Sequence, residues 1–267
     1  MNRAPGTDAP RDVVVCAMAS EARALIEHWR LPLTQRAPFR VYDDGRRCVV
    51  LSGIGCVASA TAVGFIAAHV PVARWFNFGL AGHASLPLGT TLLADNIRHR
   101  GRDEAWYPAP LPALRCARVP VLTHDEVVYD YPRDACCDME ASAFMAAVGH
   151  VGREDRAQVV KVVSDNAQSG PASLDRARIE ALAAAATPTL MACLALPSDE
   201  GTPLAGDALA PLLARWRFSR SEQAQLRLLC RRLGPAAVTL VAESAAQSSA
   251  GAALALLRTR LATTPTA

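Results

Sequence analysis

The chain has 267 residues, 51% of them hydrophobic, and a formal net charge of +3 at pH 7. That length holds one large α/β domain, or one domain with a small appendage, and the apolar half is enough for a sizeable core. So small a net charge gives no reason to expect a nucleic-acid partner, and no apolar run reads as long and clean enough to span a bilayer.

Residues 1–11 lack the apolar centre of a signal peptide and read as a disordered lead. DVVVCAM (12–18) is a β-branched run of strand length. EARALIEHW follows with helical spacing, with Ser20 as the expected N-cap and Glu21 in the first turn. RVYDDGRRCVVLS (40–52) reads as a hairpin turning at Asp43-Asp44-Gly45. SGIGCVASATAVGFIAAHV reads as a strand end, a glycine turn and a helix of small residues. ARWFNFGLAGH (73–83) and GTTLLADNI (89–97) are two further strands, and 98–118 has no clear period. VPVLTHDEVV (119–128) is a strand and then a loop. A helix opens on Met139-Glu140, and QVVKVVSD is the last clear strand. LDRARIEALAAAATPTLMACLAL reads as a helix pair or as one helix kinked at Pro188.

Strands alternate with helices, and the strand runs are continuously apolar. Both features predict a mostly parallel sheet covered on both faces. Residues 198–206 have linker composition, and 207–267 read as a small helical appendage, with Ser219 and Glu222 spaced as a capping box. The appendage arginines at 215, 217, 220, 227, 231 and 232 suit a solvated helix surface better than a binding face. Eight cysteines form no CxxC pair and no His-Cys spacing suited to zinc, so they read as small buried hydrophobes in a reducing cytoplasm.

Two strings carry the chemistry. Ser164-Asp165-Asn166 ends a buried strand, where open α/β proteins build their sites. DMEAS (138–142) places carboxylates at the start of a helix, and Lys161 is the only lysine in the sequence. Taken singly, Asp165 reads as a helix N-cap and Glu21 as a first-turn carboxylate favoured by the helix dipole.

Together with AMASEA (17–22), SGIGCVASA (52–60), NFGLAG (77–82) and VVKVVSDNA (159–167), DMEAS stands in the order and rough spacing of a known superfamily. Over residues 12–197 the chain resembles the purine nucleoside phosphorylase/nucleosidase superfamily, and most of all the 5′-methylthioadenosine/S-adenosylhomocysteine nucleosidases. The resemblance implies a three-layer α/β/α sandwich around a mixed, partly closed sheet. It implies hydrolysis of a purine N-glycosidic bond in an adenosine 5′-thio derivative, a homodimer, a cytoplasmic location, and neither metal nor organic cofactor. It makes Asp165 the acid that protonates the purine, Ser164 its support and Glu21 the base that activates water. Met139 and Glu140 would line the ribose, and Val127 and Val128 would contact the base. Met18, Lys161 and Gly79 complete the implied substrate-binding set.

Phosphorylases of this superfamily clamp phosphate with an arginine before the glycine turn; here Asn77 stands there, and Glu21 replaces the N-terminal phosphate loop. The resemblance therefore points to water as the acceptor. In three places the chain departs from the nucleosidases: Lys161 replaces an arginine, Leu80 replaces a serine, and the span from Asp95 to Val119 is shorter. These departures keep three alternatives open: a phosphorylase, a nucleosidase for a different adenosyl compound, and a catalytically silent nucleoside-binding scaffold.

Overall fold

A computed structural model describes residues 9–108, 111, 114–151, 156–196 and 209–263. The expected linker at 198–206, and all but the last three residues of the expected N-terminal lead, lie outside them.

Among the described residues, ten strands and eight α-helices follow one another. They are β1 (Arg11–Cys16), α1 (Ala19–Trp29), β2 (Leu33–Gln35), β3 (Arg40–Asp43), β4 (Arg47–Leu51), α2 (Cys56–His69), β5 (Val72–His83), β6 (Thr91–His99) and β7 (Ala105–Trp106). Next come β8 (Ala117–Thr123), β9 (Cys136–Asp138), α3 (Ala141–His150), β10 (Ala157–Asn166), α4 (Arg176–Ala195), α5 (Ala210–Arg215), α6 (Arg220–Leu233), α7 (Ala237–Ala245) and α8 (Ala250–Thr263). The sheet runs β10-β6-β8-β9-β5-β1-β4-β3-β2, with β7 on β6, and a further pairing of β10 with β5 closes five strands into a ring. Parallel pairs (β1–β4, β1–β5, β5–β10, β6–β8, β8–β9) mix with antiparallel ones, so the sheet is mixed.

The continuous apolar runs have a simple cause. Alternate residues of a strand face opposite sides of the sheet, and both sides are covered. Val13 and Val15 join one core cluster with Ala62, Ile66 and Phe144 of α2 and α3. Val14 and Cys16 join the other, with Leu25 of α1 and Leu190 of α4.

Several expectations change in detail. The N-cap of α1 is Met18, not Ser20. β2, β7 and β9 are too short to leave a sequence pattern. The stretch read as a helix pair or a kinked helix is one helix, α4, with Pro188 inside it. That helix is also, among the described residues, the one long and apolar enough to cross a bilayer. In this fold it packs on α1 and β10 through Ala183, Ala186 and Leu190.

Helices α5–α8 share a third apolar cluster, into which Tyr107 also packs. Ser219 and Glu222 form the capping box at the start of α6. Arg232 is not part of a solvated face: its guanidinium bonds Asp95 at 2.5 Å and the Pro108 carbonyl at 2.9 Å, and it lies over the Tyr107 ring. The helical segment is thereby fastened to the region between β6 and β8.

Candidate active site

The site is built where β1, β5 and β10 run out. β10 is buried along its whole length. Ala157, Val159 and Val163 face the core shared with α2 and α3, and the period of two turns Lys161 to that same side. Opposite β5 the register slips. Val163 pairs with Ala81, and Asp165, two residues on, pairs with the next residue, Gly82. A bulge of this kind re-aims the strand end. Here it presents Asp165 to a cleft of roughly 200 Å³ beside the sheet. The Ser164 hydroxyl donates to Asp165 Oδ1, and the Tyr131 phenol donates to Asp165 Oδ2. Burial first, and the neighbouring Asp165 second, push the Tyr131 phenol up, so it serves as a donor throughout the neutral range.

Glu21 enters the cleft from the first turn of α1. Its Oε2 accepts from the Met18 backbone N–H at 2.8 Å, which is half of a capping box and explains why the helix starts there. Its Oε1 accepts from Leu80 N–H at 3.1 Å, tying α1 to β5. The strand is glycine where the carboxylate approaches: a Cβ on Gly79 would lie 2.7 Å from Glu21 Oε1. Gly82 plays the same part under Tyr131 and Asp165. These glycines stand three residues apart, roughly 10 Å at the rise of a strand. Burial raises the Glu21 pKa, against the opposing pull of Lys161 and the backbone donors.

Glu140 precedes α3, and its Oε1 accepts from Gly55 N–H at 2.9 Å. Burial, with repulsion from Asp138 and Glu21, pushes its pKa up to about 7, while Lys161 and the Gly55 N–H pull it down. Beneath it sits a hub. Asp138 Oδ2 is 2.8 Å from Lys161 Nζ and accepts from Ala141 N–H at 2.8 Å. Asp138 Oδ1 accepts from the Thr123 hydroxyl at 2.7 Å. Lys161 Nζ also lies 4.0 Å from Glu140 Oε2. Burial favours a neutral lysine, but Asp138, Glu140 and Glu21 outweigh it and raise the Lys161 pKa. The only lysine is thus a charged residue inside the core, at 1% exposure.

Of the ten residues expected at the site, eight line this one cleft: Met18, Glu21, Val127, Val128, Met139, Glu140, Ser164 and Asp165. Gly79 and Lys161 do not. Gly79 lies behind Glu21, and Lys161 is held by Asp138 rather than beside Glu21. The cleft also contains Tyr131, Glu126 and Ile54, which sequence reasoning passed over, and Asp138, which it read as part of the DMEAS string without a role of its own. The sequence signal for Tyr131 is slight, an aromatic residue three positions beyond Val128 in a short polar loop. Among the residues lining the cleft, five are acidic and none is arginine or lysine.

No protein-family model matches the chain, and no curated protein matches it in sequence. Solved structures do match. The 5′-methylthioadenosine/S-adenosylhomocysteine nucleosidase of Neisseria meningitidis, in complex with methylthio-immucillin-A, superposes with a TM-score of 0.59 at 18% identity, over 68% of this chain and 99% of that one. The nucleosidase of the same name from Streptococcus pneumoniae, in complex with 8-aminoadenine, gives 0.60 at 19% identity, over 69% and 98%. The futalosine hydrolase of Helicobacter pylori gives 0.60 at 15% identity, over 69% and 97%. At these identities the likeness establishes the fold.

Proposed function

We propose that this chain, which has the fold of the purine nucleoside phosphorylase/nucleosidase superfamily, hydrolyses the N-glycosidic bond of a purine nucleoside and releases the free base. The observation that carries the reading is that Glu21, Glu140 and Asp165, from three separate elements, line one cleft. A purine leaves poorly unless its ring nitrogen is protonated, and the sugar gains positive character as the bond breaks. Asp165, as the acid, delivers that proton from Oδ2 once the base displaces the Tyr131 phenol there, while Ser164 holds Oδ1. Glu21, held by two backbone donors, takes a proton from the attacking water. Glu140 accepts from the ribose hydroxyls. The division of labour among carboxylates is that of glycoside hydrolysis.

Water is the acceptor we assign. A phosphate dianion would enter a cleft lined by five acids and no cation, whereas phosphate sites offer arginine forks or lysines. The substrate we assign is an adenosine 5′-thio derivative, because Ile54, Val127, Val128, Met139, Pro171 and Leu174 give the cleft apolar walls. A second reading, a differently substituted nucleoside of the futalosine type, has equal fold likeness in its favour. On this reading 12–197 is the nucleosidase-like domain, a three-layer sandwich acting as a homodimer in the cytoplasm, and 207–267 is an appendage.

The test is to incubate purified protein with methylthioadenosine, S-adenosylhomocysteine, futalosine and unsubstituted nucleosides, with and without phosphate, and to follow free base by chromatography. Base release that ignores phosphate is the expected result. Release that requires phosphate identifies a phosphorylase, and tight adenine binding without release identifies a silent scaffold.

A further inference from the structure

Beside the nucleoside cleft, three side chains from distant parts of the chain meet: Cys56 at the start of α2, His99 at the end of β6 and Asp125 in the loop after β8. Their ligand atoms all lie within 4.8 Å of one another. The imidazole explains why this is more than a chance cluster. His99 Nδ1 stands 2.7 Å from the Arg100 carbonyl oxygen, which can only accept, so Nδ1 carries the proton. In the neutral ring that leaves Nε2 with a bare lone pair, and Nε2 faces a second acceptor, Asp125 Oδ1, at 3.3 Å. Two lone pairs do not face each other at that distance without a positive centre between or beside them.

A metal ion fits there better than a proton alone, because the third group is sulfur. The Cys56 thiol makes a long contact to the Met139 carbonyl, at 3.5 Å, and a side-chain hydrogen bond with Ser142, and its sulfur is the third atom of the cluster. Two ligand atoms held about 2.0–2.2 Å from a zinc ion at the tetrahedral angle stand roughly 3.3–3.5 Å apart, which matches the edge between His99 and Asp125. The histidine also has the outer-shell partner that metal-bound imidazoles use, a carbonyl fixing the tautomer from behind. His99 is buried at 7% exposure, whereas Asp125 is on an exposed loop and free to close on an ion.

We propose that Cys56, His99 and Asp125 form a three-ligand site for a zinc-class divalent ion, with a fourth position left for water or a ligand atom. Sequence spacing concealed it, since the three residues are 43 and 26 positions apart. The ion would fasten two parts of the nucleoside cleft. Cys56 follows Gly55, whose N–H holds Glu140, and Asp125 precedes Glu126, Val127 and Val128, which line the cleft wall. The site stands independently of which nucleoside the cleft accepts.

Cobalt(II) is the probe. Titrated into the full chain under reducing conditions, it is expected to give one equivalent of binding, with thiolate-to-cobalt charge-transfer absorption in the near ultraviolet that excess zinc abolishes. Cys56→Ser is expected to remove that band, and His99→Ala to weaken binding by more than the roughly 100-fold upper range for loss of an outer-shell partner. Asp125→Asn is the variant that protects the test from misfolding, because the side chain is exposed; it is expected to weaken binding at least tenfold with the circular dichroism unchanged. A chain that binds no cobalt, or binds it equally in wild type, Cys56→Ser and Asp125→Asn, overturns the assignment.

Discussion

The Tyr131 phenol donates its hydrogen bond to Oδ2 of Asp165, while Ser164 from the neighbouring backbone position takes Oδ1. Gly82 makes this approach possible, since a Cβ there would collide with the Tyr131 ring and with Asp165 Oδ2. The acid therefore meets an incoming base with a phenol already seated on the oxygen that the base needs. A hydrogen bond to a charged group contributes about 1.5–3 kcal/mol. Tyr131→Phe is accordingly expected to tighten adenine binding roughly tenfold or more by isothermal titration calorimetry; equal or weaker binding would show that the phenol does not compete with the base.

Asp165→Asn keeps the shape and removes the transferable proton. Turnover is expected to fall by roughly 10²–10⁴-fold, the usual worth of a positioned general acid. Nucleoside binding should survive. Wild-type turnover in this variant would remove Asp165 from the chemistry.

Gly79→Ala tests the seat of Glu21 without touching the carboxylate. The added methyl must displace Glu21 Oε1, which the Leu80 N–H holds, in a carboxylate whose Oε2 is held by the Met18 N–H. A misplacement of about 1 Å in a reacting group costs on the order of 100-fold. The expected result is a fall in kcat of that size with native circular dichroism. An active Gly79→Ala enzyme would mean that Glu21 tolerates displacement and is not the base.

Lys161→Met separates structure from chemistry. The ammonium compensates Asp138 and Glu140 in a site that water does not reach. Breaking a buried pair on one side costs about 3–5 kcal/mol, because the remaining charge is stranded. Urea denaturation should show a loss of that size. Little or no loss would indicate that Asp138 finds enough support in Thr123 and the α3 amides alone.

The Glu140 carboxyl, pushed up to about 7, gives a pH signature. Its folded-state pKa lies above the unfolded value. The native state therefore binds the proton more tightly, and this contribution to stability is present at low pH and lost as pH rises towards 7. Substrate binding runs the other way, since the ionised form accepts the ribose hydroxyls. KM should fall as pH rises from 6 to 8, and Glu140→Gln should flatten the dependence. A KM that is independent of pH in the wild type would place the ribose elsewhere.

The acids were legible because each sits in a short string with a local structural cause. Glu21 occupies a helix first turn, Asp165 a strand end, and Glu140 the residue before a helix. The apolar runs revealed a sheet covered on both faces for the same reason: every other side chain enters one of two cores. What escaped the sequence depends on distance and register. Tyr131 reaches Asp165 across 34 positions, and Lys161 is matched with Asp138 only once β10 lies beside β5. The bulge at Val163–Asp165 has no glycine or proline to mark it. Arg232, read as solvated, gives no hint that Asp95 waits for it 137 positions earlier.

Confinement of the sole lysine has a chemical corollary. Acylating reagents and amine-directed crosslinkers find no side-chain amine on the folded surface, since the single ε-amine is buried in the core against Asp138. Its acquisition of a label would report that the strand carrying it has come away from its neighbours, so one mass shift at one position becomes a clock for opening of the closed ring.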